Sequence, residues 1–146
     1  LPALQGTRPA IFDGHNLPDL TAAARANMPN RAWYDDLPEA DQKEVVYRCV
    51  HAIPNGGHPD WDRLKHFAMC IYAAAEAWSD RNTAGLDALM VWSRKHSCHA
   101  DATTQQVWRE VMRSPPTALT VGTLISDGRE HGADFSDLRK DAAAAN

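Results

Sequence analysis

Apolar residues recur at helical spacing along most of this sequence, and this periodicity limits the fold more than any other feature. The repeats fall in five stretches, near residues 38–53, 59–79, 83–95, 101–113 and 120–131. Turn-forming residues separate the stretches, most clearly at 54–57 and at 115–116. Alternating apolar and polar residues, which would indicate strands, do not extend over a useful length. The sequence therefore predicts an all-α fold, a compact bundle of about five helices.

The periodic part of the chain has less regular sequence on both sides. Residues 1–36 are predicted to be an irregular linker or arm, because proline breaks any long helix there. Trp33 and Tyr34 are expected to anchor the end of this arm. Residues 37–133 form the predicted helical domain, and residues 134–146 a short C-terminal extension. Since the chain opens at Leu1 without an initiator methionine, we expect it to be a fragment of a longer protein.

Composition removes several classes of protein. A net charge of −4 disfavours a globally basic nucleic-acid binder, although it leaves room for a local basic face. No apolar run reaches the length of a membrane span, and the first residues lack the pattern of a signal peptide. The three cysteines are widely spaced and odd in number, which favours reduced thiols. We therefore expect a cytoplasmic protein without a membrane partner.

The sequence indicates neither a metal site nor a catalytic centre. The run His96 to His99 contains Cys98, and Cys49 with His51 could add ligands, but the paired spacing of zinc sites is missing. Neighbouring side chains such as Cys98 and His99 diverge too much to act as nucleophile and base. No known nucleotide, hydrolase or zinc-protease motif is present. We predict no metal, no cofactor and no catalytic residue in this fragment.

One stretch could bind nucleic acid or nucleotide. Four basic residues lie in 92–113, against two acidic ones, which gives a local excess of +2. Tryptophans on apolar stripes are expected in the core, but Trp92 and Trp108 lie close to basic residues and are candidates for base stacking. A threonine- and glycine-containing helix start could offer backbone N–H groups to a phosphate, or could be a plain cap. The candidate site consists of Trp92, Arg94, Lys95, Arg109, Arg113, Thr120, Gly122 and Thr123.

The order of these motifs resembles the primase C-terminal type 2 domain. The matching elements are WSRK at 92–95, the tryptophan at 108, LTVGTL at 119–124 and REHG at 129–132. The resemblance covers residues 38–132. The chain departs from the family pattern where Cys98 and His99 replace a lysine–tyrosine step, and where Ala118 replaces the glycine that commonly opens the turn.

The resemblance implies an accessory role in DNA replication. Domains of this family are helical modules of replication primases and primase–helicases from plasmids, phages and integrated elements. The parent protein is expected to be a DNA primase or primase–helicase whose catalytic domain lies elsewhere. The domain is expected to help engage single-stranded DNA template or the initiating nucleotide. The alternative is a structural or protein-interaction bundle that couples primase to a polymerase or helicase domain and does not contact nucleic acid.

Overall fold

The described part of the computed structural model comprises residues 28–117 and 120–138. Its helices are α1 (Met28–Asp35), α2 (Glu39–Ala52), α3 (Trp61–Ala74), α4 (Arg81–Ser93), α5 (Asp101–Arg113) and α6 (Val121–Glu130). No strand occurs within these two described ranges. The predicted all-α bundle is therefore confirmed, whereas most of the predicted irregular arm, residues 1–27, lies outside the described residues.

The five predicted helices correspond to α2 through α6, with one clear difference in length. The second predicted helix extends to about residue 79, but α3 ends at Ala74. Side chains take its last carbonyls: the Tyr34 hydroxyl donates to Ala74 O at 2.6 Å, and the Arg81 guanidinium donates to Tyr72 O at 2.7 and 3.1 Å. Because these carbonyls have partners outside the helix, the chain can turn towards α4 there.

The helix starts differ in how they are capped. Thr120 is the N-cap of α6, and its hydroxyl accepts from Gly122 N at 3.2 Å, which confirms the predicted start. The N-cap of α5 is Ala100, and Asp101 is the first helical residue. The N-cap position of α2 is occupied by Pro38, so α2 has no side-chain cap.

The helix α1 falls in the segment predicted to be irregular, and it packs against α6. Tyr34 is buried, as expected of an anchor, and the ring of Trp33 lies 6.1 Å from that of Phe135 between centroids. Phe135 and Leu138 are buried after α6. Buried residues therefore occur on both sides of the range 37–133. Residues 37 and 133 remain predicted limits of the helical domain.

The helix α3 is central and contacts α4, α5 and α6. The helix α5 packs against α3 and α4, whereas α2 packs mainly against α4 and α6. Two glycines permit close approaches: a Cβ at Gly85 would lie 2.7 Å from the Trp108 ring, and one at Gly128 would lie 2.7 Å from Cys49 Sγ. Among the described helices, none has the length and apolar character needed to cross a bilayer. The outer face of α5 is left uncovered by any other described helix.

Candidate functional site

Trp92, predicted as a base-stacking residue, is a core residue whose ring presents no exposed face in this structure. Its side chain is 1% exposed, and its indole N–H donates to Ile53 O at 3.1 Å. The other candidate, Trp108, is 2% exposed and donates to Asn82 Oδ1 at 3.3 Å. Both rings are therefore enclosed by the bundle, which agrees with the general expectation that the tryptophans pack in the core.

Lys95 stabilises the end of α2 and is not free to bind phosphate. Its ammonium group donates to the carbonyl oxygens of Val50, His51 at 2.9 Å and Ile53 at 3.0 Å. Carbonyls at the C-terminus of a helix lack intrahelical partners and carry partial negative charge, so a lysine there is favourable. Burial lowers the pKa of Lys95. The carbonyl partners of Lys95 are more than 40 positions away in the sequence, so no local pattern revealed them. For that reason the sequence predicted Lys95 as a nucleic-acid contact.

Arg94 remains at the surface, but an acidic neighbour compensates its charge. Its guanidinium lies 3.3 Å from Asp101 Oδ2, and both side chains are exposed. Asp101 also hydrogen-bonds with His99, and these two partners, His99 first, hold the pKa of the Asp101 carboxyl below its usual range. Arg94 is therefore a weaker candidate for phosphate than its sequence context indicates.

Arg109 and Arg113 lie one turn apart on the outer face of α5, and both are exposed. Neither side chain has a hydrogen bond or an ion pair within the part of the chain that the structure describes. The exposed residues of this face, which we call the α5 stripe, are Ala102, Gln105, Gln106, Arg109, Met112 and Arg113. Two carboxylates of α5 lie beside the α5 stripe: Asp101 is paired with Arg94, and the partly exposed Glu110 forms no ion pair with a described residue. The two arginines therefore have no ion-pair partner among the described residues, although an acidic residue lies next to them in the helix.

The start of α6 does not join the other basic residues. Thr120 Oγ1 accepts from Gly122 N, and Thr120 O accepts from Thr123 N at 3.2 Å, so two of the N–H groups proposed for phosphate already have partners. Arg94 follows α4 and pairs with Asp101 at the start of α5, whereas Thr120 follows the end of α5. The 13 residues of α5 separate these two positions, about 20 Å at ~1.5 Å per residue. The predicted site is thus divided between the two ends of α5.

The loop between α4 and α5 contains a hydrogen-bond network that the sequence did not reveal. Ser93 Oγ lies 2.8 Å from His99 Nδ1 and 2.8 Å from Thr104 Oγ1, and His99 Nε2 pairs with Asp101. A serine, a histidine and an aspartate in series resemble a hydrolase triad in composition only. Here the serine is 4% exposed and also bonded to Thr104, while the aspartate faces solvent. The network ties the end of α4 to the start of α5.

A cavity of about 120 Å³ opens beside this network, between the starts of α3 and α5 and the end of α4. Trp61, partly exposed, forms part of its wall. The cavity is also lined by His58, Asp60, His96, His99 and Thr103. Sequence periodicity could not place them together, because they come from loops and helix ends.

No group of three or more potential metal ligands occurs within residues 28–117 and 120–138. Cys49 and Cys70 are buried free thiols, and burial raises the pKa of each to about 12. Cys98 is exposed and also free. The residues considered for a metal are therefore divided between the core and the surface.

The comparison with family models decides the relationship of this chain. The model of the Primase C terminal 2 (PriCT-2) domain matches residues 46–127, more than half of the 146 residues. The chain belongs to the PriCT-2 family. The match runs from within α2 to within α6 and includes the whole of α5, so the PriCT-2 assignment covers the α5 stripe. It confirms the resemblance found in the motifs and identifies a primase-associated C-terminal domain.

Neither the curated proteins nor the solved structures contain a match to this chain.

Proposed function

We propose that this PriCT-2 domain helps a DNA primase of plasmid or phage type to engage its single-stranded template, and that the α5 stripe is the surface of contact. The observation that supports the proposal is the pair Arg109 and Arg113. They are exposed, one turn apart and without an ion-pair partner among the described residues. Arginines of this kind are the usual partners of phosphate oxygens.

The rest of the α5 stripe suits a flexible strand. Gln105 and Gln106 can donate to phosphate or base oxygens, and the exposed thioether of Met112 offers an apolar contact between the two arginines. The stripe itself contains no carboxylate, and the acidic residues of α5, Asp101 and Glu110, flank it. The phosphates of an initiating nucleotide could use the same two arginines, so nucleotide binding is a second form of the proposal.

The free thiols are compatible with a reducing compartment, and we place the function in the cytoplasm. We assign primer synthesis to a separate polymerase domain of the parent protein. The partners in this proposal are single-stranded DNA or nucleotide and that catalytic domain.

The alternative is a protein-interaction bundle that couples the primase to a helicase or polymerase domain. It is favoured by the net charge of −4 and by the use of Lys95 inside the fold. In that case Met112 and its neighbours would contact a protein surface, and the chain would not bind DNA.

The test is fluorescence anisotropy with a labelled oligo-dT at low salt. Arg109→Glu with Arg113→Glu is expected to weaken binding by at least tenfold, because two phosphate contacts become repulsive. In a salt titration, Arg109→Gln with Arg113→Gln should reduce the slope of log K against log salt by about 1.4, since each contact on a single strand contributes roughly 0.7.

A matched control makes the same charge change at Arg8 and Arg25, which lie outside the described residues. It should bind like the wild type. Reversal at Arg94 and Lys95 is a poorer test, because loss of Lys95 removes contacts to α2. If the wild type does not bind at low salt, or if the folded Arg109 and Arg113 variant binds equally well, the interaction bundle replaces this proposal.

A further inference from the structure

The cavity beside α5 lies at one end of the proposed path of the template. Thr103, on the first turn of α5, lines the cavity, and the α5 stripe continues from Ala102 along the same helix. A strand held by Arg109 would pass this opening after about two turns of α5, since Thr103 is six residues away. Such a strand would carry its bases past the opening of the cavity.

The size and the walls favour one flat ring. The cavity measures about 120 Å³, less than the roughly 150 Å³ that encloses a benzene ring, so a single pyrimidine would enter it edge first and only in part, through its open side. Its walls include the indole of Trp61 and the imidazoles of His58, His96 and His99. Aromatic side chains provide flat surfaces on which the bases of a single strand stack.

Some hydrogen-bonding groups of the cavity walls already have partners within the protein, and others do not. His96 Nε2 bonds to Gly57 O at 2.9 Å, and its Nδ1 accepts from Cys98 N at 3.0 Å. His99 bonds to Ser93 and Asp101. These two imidazoles therefore hold the wall in place and have no nitrogen left for a ligand.

Two wall groups keep spare capacity. The Asp60 carboxylate uses Oδ1 to accept from Arg63 N at 3.2 Å, while Oδ2 has no partner in residues 28–117 or 120–138. The Thr103 hydroxyl also makes no hydrogen bond to any described residue. A carboxylate accepts from an amino group, and the amino group of cytosine is the usual base partner of aspartate and glutamate.

We propose that this pocket receives one unpaired base of the template and prefers cytosine, which combines a single ring with an amino group. The inference deepens the proposed function and rests on it. Asp60 accepts from the amino group, Thr103 bonds to another polar atom of the base edge, and Trp61 contacts the ring. Thymine fits in size but presents a carbonyl oxygen where the carboxylate needs a donor.

The test compares oligo-dC with oligo-dT of equal length, bound to the full chain at the same low salt. The two strands carry the same charge, so the phosphate contribution cancels. We expect oligo-dC to bind about fivefold more tightly or better, which is the lower range for a good base contact.

The decisive variant is Asp60→Asn. Asparagine caps a helix as well as aspartate does, so α3 should keep its start. The amide can turn a donor towards the base, and the preference for oligo-dC should disappear or reverse. Asp36→Asn, an equal charge change in the exposed turn before α2, should keep the preference. Thr103→Val, which keeps the side-chain shape, should also reduce binding of oligo-dC about threefold or more.

The outcomes separate the two ideas. If wild-type protein binds both oligonucleotides equally, and Arg109→Glu with Arg113→Glu abolishes both, the base pocket is wrong and the proposed function stands. An unchanged preference for oligo-dC in folded Asp60→Asn and Thr103→Val proteins also overturns the pocket. If neither oligonucleotide binds, the proposed function fails and the pocket fails with it.

Discussion

Phe67 and Trp92 stack face to face, with 3.9 Å between ring centroids and 5° between ring planes. Phe67 belongs to α3 and Trp92 to the last turn of α4, so the stack joins the two helices beside the cavity. The Arg63 guanidinium lies over the Trp92 ring at 5.2 Å from its centroid. Trp92 is thus held by a ring, a cation and the hydrogen bond to Ile53 O.

Trp92→Leu should destabilise the bundle. Loss of a large buried ring leaves a cavity, and we expect the free energy of unfolding to fall by about 3 kcal/mol or more. The measurement is urea unfolding followed by circular dichroism. Met112→Leu, at an exposed position, should stay within about 0.5 kcal/mol of the wild type. Equal stability of the Trp92→Leu protein would contradict the packing described here.

Lys95→Met should show that this lysine supports the fold. Its removal leaves the carbonyls at the end of α2 with fewer donors, and we expect a loss of about 1–3 kcal/mol in the free energy of unfolding. Thermal and urea unfolding would measure it. Arg94→Met removes the same charge from an exposed ion pair, which is expected to contribute less than about 1 kcal/mol. The prediction fails if the two variants lose the same stability.

Gly128→Ala tests the close contact between α6 and α2. The new Cβ would lie 2.7 Å from Cys49 Sγ and 3.3 Å from Cys49 Cβ, so the buried thiol must rotate or the two helices must separate by a few tenths of an ångström. We expect a loss of about 1–3 kcal/mol from overpacking, although alanine is the better helix former by about 1 kcal/mol. Adding Cys49→Ala should recover part of the loss, as expected for residues in contact. Gly56→Ala meets nothing within 4 Å and is the control.

His66 should make stability depend on pH. Its Nδ1 is buried without a hydrogen-bond partner among the described residues, and burial lowers the pKa of His66 below its usual 6.5. Between that lowered pKa and 6.5 the unfolded chain binds a proton that the folded chain does not, so stability falls as pH decreases through this window. His66→Leu should flatten this dependence in unfolding curves from pH 5 to pH 8.

The matched control for the pH experiment is His58→Gln, because His58 is exposed and has no side-chain partner in the described chain. It should leave the slope of stability against pH unchanged. A slope that persists in the His66→Leu protein would assign the effect to other titrating groups.

The sequence predicted the helices well because their information is local. The apolar stripes of α2 to α6 repeat every three or four residues, and turn residues mark most of their limits. α1 was missed because Pro29 and the lack of a repeated stripe favour irregular structure, and the packing against α6 that supports it is distant in sequence. Tertiary contacts here override local preference.

The site was predicted less well because charge in a sequence does not reveal its partner. The sequence alone does not distinguish the four basic residues Arg94, Lys95, Arg109 and Arg113. In the fold, Arg94 pairs with Asp101 and Lys95 donates to three carbonyls. Arg109 and Arg113 have no partner among the described residues. The spacing of Arg109 and Arg113 alone predicted a shared face. The pocket residues come from two stretches of the sequence, 55–64 and 92–104, so no local pattern could join them.

The pairing of Trp33 with Phe135 brings the two ends of the described body together. α1 packs against α6, and Arg48 holds the following segment to α2 through Asp137 at 2.8 Å. Residues of α1 and residues after α6 therefore lie side by side. A linker could join the two ends of the described body while new ends are opened at an exposed turn such as 76–77, so the bundle is suited to circular permutation.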